Sequence, residues 1–223
     1  MARFKYLQPD LPRARENNLI RHLFRNFISL HAVMHDLFFD GLSTDTSRKV
    51  LQRMVKQGLL TRYPLFHNRH YFRLGTAAAQ RWAYPRTRCH QLGAQRLPYE
   101  LGVLHYVSQH DRVKKRLLPH ELKNRFEWFP DGLMQWAYLM QQGKLVTLRT
   151  ELSGRADRII EKFGRQLYDY STLPQFRELI ESDQFAFCVV TATAAQAVAI
   201  EQRSPDLIVD LSTHICPDLV HFM

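Results

Sequence analysis

The sequence predicts an α+β protein in two parts: a basic helical module, then an α/β sandwich built on a mixed sheet. Three observations carry that expectation. Early in the chain, apolar residues recur at helical spacing and then give way to a hairpin-like stretch. Later, apolar strands alternate with amphipathic helices. The charge also divides: residues 1–95 hold 16 Lys and Arg against 5 Asp and Glu, a net of +11, while residues 96–223 hold 15 against 16, a net of −1.

The first helix is read over 15–27, where Leu19, Ile20, Leu23, Phe24 and Phe27 form one apolar stripe. Ser29 is the expected cap of a second, carrying Leu30, Val33, Met34 and Leu37. Asp40-Gly41 makes a turn, and Ser43, Thr44 or Asp45 caps a third helix with Val50, Leu51, Met54 and Val55 inward. Its outward residues are Ser47, Arg48, Gln52, Arg53 and Lys56, and Gly58 closes it. "LLTRYPLFHNRHYFRLG" then reads as two strands around a tip at His67-Asn68-Arg69.

Three helices and a hairpin, with "VLQRMVKQGLLTRY" and "HYFRLG", resemble the winged helix-turn-helix superfamily over about residues 15–83. That resemblance implies a DNA-binding domain over 1–84. Arg48, Lys49, Gln52, Arg53 and Lys56 would face the major groove, with Arg69, His67 and His70 on the wing. An excess of +11 favours double-stranded DNA as the partner. A winged helix that binds protein, its basic face merely solvated, is the alternative.

Residues 85–96 read as a linker, within the turn-rich "YPRTRCHQLGAQRLPYE", and 97–223 as a second domain. "LPYELGVLHYVSQ" is a helix, and "VKKRLLPHELKNRF" a short strand with a basic loop. "GLMQWAYLM" and "KLVTLRTEL" are strands joined by "QQGK". "GRADRIIEKFGRQLYDY" is a long helix, "QFAFCVVTAT" a strand buried on both faces, "AAQAVAIEQR" a returning helix and "LIVDL" a last strand.

With Asp131 opening the second strand and Glu151 ending the third, this order resembles the restriction-endonuclease-like fold and its PD-(D/E)xK motif. Ser153 stands where the motif lysine belongs; Lys162 on the next helix is the substitute, and Glu100 matches an additional acidic position. More narrowly, "PDG", "TELSGRADRIIEKF", "LYDY" and "FCVVTAT" after a winged helix resemble the plasmid replication-relaxation family, whose relatives include the C-class mobilisation relaxases. The resemblance implies a bacterial cytoplasmic protein acting at a plasmid or mobile-element origin of transfer or replication. Single-stranded DNA, a coupling protein and a second copy of the chain are further implied partners.

The implied chemistry is phosphodiester cleavage by a relaxase or nicking endonuclease. Asp131, Glu151 and Glu100 would hold Mg²⁺ or Mn²⁺, because hard cations take oxygen ligands. Lys162 would stabilise developing charge, and Glu161 competes as the second glutamate. Water or a tyrosine, Tyr168 or Tyr170, is the nucleophile. The plainer readings stand beside these: "PDG" as an ordinary turn, Glu151 as a helix cap, Lys162 flanking an apolar face and the tyrosines packing the core. On those readings the protein is a DNA-binding regulator or relaxosome accessory with a degenerate nuclease-like domain. Three dispersed cysteines fit buried thiols in a reducing compartment, and no stretch has the length and apolarity of a membrane span.

Overall fold

The computed structural model describes residues 12–109, 114–134 and 136–223, and the chain divides into two compact units between Glu100 and Leu101. The architecture is α+β, and the larger sheet is mixed. Among the described residues no helix is long and apolar enough to cross a membrane.

In the N-terminal unit, α1 (Pro12–Asn26) buries Leu19, Ile20 and Leu23 as its periodicity requires. β1 (Ser29–Leu30) leads into α2 (His31–Phe38), whose N-cap is Leu30 without a side-chain bond. Ser29 therefore does not cap this helix; its Oγ is taken by His22 Nε2 at 3.0 Å. α3 (Thr44–Lys56) is capped by Ser43, which accepts from the Thr46 amide at 3.2 Å. Gly58 follows at φ +67°, the left-handed closure that glycine adopts without strain.

β2 (Leu60–Pro64) and β3 (His70–Leu74) pair antiparallel, Leu60 opposite Leu74, and β1 pairs with β3 on its other side. His67 and Asn68 both adopt positive φ at the tip. At the base, a Cβ on Gly75 would lie 2.0 Å from the Gly58 carbonyl oxygen, so any side chain there separates hairpin from helix. α4 (Thr76–Arg81) completes the core with Ala78 and Ala79.

The stretch expected to be a free linker is tied to this unit. Cys89 is buried in its core, Tyr63 donates to the Cys89 carbonyl at 2.7 Å, and Arg73 donates to the carbonyls of Phe27 and Thr87. Backbone groups that find partners on the hairpin have no reason to remain solvated.

The C-terminal unit is a four-stranded sheet in the order β4 (Ala137–Gln141), β5 (Lys144–Glu151), β6 (Phe185–Thr191), β7 (Asp210–Ile215). β4 and β5 form an antiparallel hairpin through Gln142 and Gly143, both at positive φ; β5–β6 and β6–β7 are parallel. α7 (Ala156–Ser171) and α8 (Pro174–Glu181) connect the first parallel pair, and α9 (Ala194–Glu201) the second. β6 is buried along its whole length, as its continuous apolar run requires.

One face of the sheet carries Phe185, Phe187 and Val189 against Phe163 and Leu167 of α7. Behind the other runs the part of α5 (Arg96–Val107) from Leu101 onward, where Gly102 lets the helix approach: a Cβ there would meet Thr150 Oγ1 at 2.6 Å.

Four expectations fail locally. The strand in "VKKRLL" is a single bridge, Arg116 to Leu139, and a helix, α6 (Pro119–Arg125), replaces the basic loop. Pro119 at its start and Glu121 reaching back to the Leu118 amide at 2.9 Å explain it. α8 is additional, started by Pro174 and anchored by Phe176. The last strand lies three residues later than "LIVDL" places it. Asp131 does not open β4: Asp131–Leu133 form a 3-10 turn, closed by the Met134 amide on the Asp131 carbonyl at 3.1 Å. Proline followed by Asp-Gly holds a turn more readily than a strand.

Candidate nucleic-acid interface

A groove of about 680 Å³ runs between α3 and the β2–β3 hairpin of the N-terminal unit. Its floor is apolar, with Leu30, Leu51, Val55 and Phe72. Its walls carry Arg48, Gln52 and Lys56 from α3, Arg62 from β2, Arg69 and His70 from the hairpin and His31 from α2. Arg48, Lys56 and Arg62 are exposed, and among the described residues none has a carboxylate at ion-pair distance. Three uncompensated cations around one trench make a site of strong positive potential.

The expected contacts thus divide. Arg48, Gln52, Lys56, Arg69 and His70 come together in the groove, while Lys49, Arg53 and His67 do not line it. Lys49 pairs with Asp45 at 2.8 Å, one turn earlier on the same helix, and Arg53 pairs with Glu16 of α1. The carboxylate of Asp45, hydrogen-bonded to Lys49, holds the lysine pKa above its ordinary range and is itself lowered. Ser47, expected outward, is fully buried and bonded to His31 and His35. Sequence reasoning missed Arg62 and His31; the half-buried Thr61 and Tyr63 around exposed Arg62 are the alternation that could have placed it.

In the C-terminal unit each acidic residue of the expected centre meets a different cation. Asp131 is exposed and pairs with Lys123 at 3.2 Å. Glu151 ends β5 as expected, is largely covered, and receives Lys162 Nζ at 2.5 Å. Glu161 pairs with Arg165 on its own helix. Glu100, expected as a third ligand of this unit, belongs to the N-terminal one, where it is fully buried and held by Arg96 at 2.5 Å. Among the described residues no three of His, Cys, Asp and Glu are grouped to hold a metal ion. The donor set therefore does not fit a three-carboxylate Mg²⁺ or Mn²⁺ centre; the Glu151–Lys162 pair is the one expected association that forms.

The tyrosines part as well. Tyr168 is 72% exposed, whereas Tyr170 is 3% exposed, stacks on Phe176 at 4.6 Å and lies within 3.5 Å of the Tyr138 hydroxyl. Two further polar groups face the same side of β5 as Glu151. Thr147 Oγ1 and Arg149 Nε are buried and, among the described residues, lack hydrogen-bond partners, although Arg149 lies over Trp136 at 3.5 Å.

On the opposite sheet face, His105 Nδ1 and His214 Nε2 are 2.9 Å apart. Burial, then His105 and Lys114, push His214 down to about 4. Cys89, Cys188 and Cys216 are buried, as expected, and none of them forms a disulfide among the described residues. No family model matches the chain, and no curated protein or solved structure matches it either.

Proposed function

We propose that this protein binds double-stranded DNA, with the N-terminal unit acting as a winged helix: α3 enters the major groove and the β2–β3 hairpin follows the adjacent backbone. The carrying observation is the set of unpaired cations Arg48, Lys56 and Arg62 around one groove. Phosphates supply the missing counter-charge, and release of condensed ions drives association. Gln52, on the same wall, has the donor and acceptor pair that reads adenine edges.

The reading taken for the C-terminal unit is that of a nuclease-like domain without an assembled metal centre, so that the whole is a DNA-binding regulator or accessory protein at a mobile-element origin. Each carboxylate of the expected centre already has its own cation. A second reading, metal-dependent nicking, is favoured by Glu151 and Lys162, an acid and a base held together at the end of a central strand. It requires Asp131 to exchange Lys123 for a metal.

Two experiments address the two readings. Duplex binding is measured across a salt series for the wild type and for Arg48→Ala/Lys56→Ala/Arg62→Ala. The triple variant should lose about 100-fold in affinity, and its salt slope should fall by roughly three. An unchanged slope overturns the DNA reading. Supercoiled plasmid in Mg²⁺ or Mn²⁺ should be shifted but remain supercoiled; relaxed circles that vanish with Glu151→Ala would install the nicking reading instead.

A further inference from the structure

The groove contains one group whose hydrogen bonding is settled by counting protons. His31 is the first residue of α2 and lines the groove beside Arg48. Its Nε2 lies 3.0 Å from Ser47 Oγ, and His35 Nδ1 lies 3.0 Å from the same oxygen. That oxygen is also 2.9 Å from the Thr44 carbonyl oxygen. A serine hydroxyl has one proton to give and two lone pairs to offer. A carbonyl cannot donate, so two oxygens at this separation need the hydroxyl proton between them. Both histidines must then donate N–H to Ser47.

Resting on the DNA-docking reading above, we propose that Ser47 holds His31 as the Nε2–H tautomer, leaving Nδ1 as its titrating nitrogen, and that a DNA phosphate in the groove drives a proton onto Nδ1. Protonation there costs no existing bond, because the Nε2–H to Ser47 persists in the imidazolium. Neutral His31 offers Nδ1 only as an acceptor, which a phosphate cannot use; charged His31 offers a donor and a positive charge.

The surroundings set the direction. In the free protein, burial, Arg48 and His35 all lower the His31 pKa, and Asp36 opposes them. Lys56, Arg62 and Arg69 face the same groove and add to its positive potential, and His70 lines it beside them. A bound phosphate reverses that potential, so the proton is taken up on binding. DNA affinity should therefore rise as pH falls, with each site contributing at most about tenfold per pH unit.

The test combines ¹⁵N spectra of the histidine rings with duplex binding between about pH 8 and about pH 6. The expected result is an Nε2–H tautomer for His31 in the free protein and a pKa that rises when duplex is added. His31→Gln, which keeps a donor for Ser47, should flatten the pH dependence of affinity. An Nδ1–H tautomer in the free protein overturns the proposal. So does duplex binding whose pH dependence is the same in His31→Gln. Absence of duplex binding at every pH overturns the DNA reading and the proton linkage together, whereas a flat pH profile with intact binding overturns the linkage alone.

Discussion

The two units carry similar numbers of basic side chains but use them differently. In the N-terminal groove Arg48, Lys56 and Arg62 stand without carboxylates among the described residues. In the C-terminal unit Lys123, Lys144, Lys162 and Arg165 each meet an acid, and Lys144 meets two, Asp183 and Asp210, at 2.6 Å each. Most of these pairs are solvent-exposed and contribute little to stability. Their effect is to cancel the field. Basic residue counts therefore do not separate the two units; what does is whether the basic residues that share a concavity are paired.

The two units should therefore fail separately. Phe163 is fully buried and stacks on Phe187 at 4.8 Å, so Phe163→Ala should cost about 3–5 kcal/mol in the C-terminal unit. Duplex affinity should survive that loss. If hydrogen exchange shows the C-terminal unit open and affinity collapses with it, DNA recognition does not belong to the N-terminal unit alone.

A somewhat smaller effect should appear with acid. His22 is enclosed by Asn26, Ser29 and Phe38, and burial pushes it down to about 4. Its unfolded value is about 6.5, so across the interval between the two the unfolded chain holds one more proton. Stability of the N-terminal unit should fall as pH falls through that window, by about 3 kcal/mol at its lower end. Exchange protection of α1 and α3 amides measures this, and His22→Gln should flatten it.

The smallest effect sharpens the contrast most. Lys123→Ala and Arg165→Ala, which remove cations already paired, should change duplex affinity by less than about twofold. A loss as large as that of the groove variant would mean that the C-terminal unit also meets the backbone of the DNA.

Much of the local structure was legible. The stripe of Leu19, Ile20 and Leu23, a cap among Ser43, Thr44 and Asp45, the Gly58 closure and the buried run of β6 are short-range signals, and each element formed. The misreadings occurred where two local signals competed. Pro130-Asp131-Gly132 is both a turn and a strand entry, and the turn prevailed because the amides of Leu133 and Met134 found partners within it. "LLPHEL" reads as a strand end until Pro119 and Glu121 are recognised as a helix start. In the candidate sites, Arg48 and Lys56 were placed correctly on α3; Asp45 four residues earlier marks Lys49 as paired, but nothing in the sequence distinguishes Arg48 and Lys56 from Arg53.

Periodicity, capping residues and the division of charge are properties of neighbours along the chain, and they determined the helices, the hairpin and the basic character of the first hundred residues. Outside the pairs spaced four apart on one helix, which charge found a partner was decided only in three dimensions. Glu16 lies 37 residues from Arg53, and Glu151 lies 11 from Lys162. An ion pair forms within about 4 Å, a distance set by the packing of helix on helix and helix on sheet. The same packing put His31, Arg48 and Arg62 around one groove, from three elements that share no local pattern.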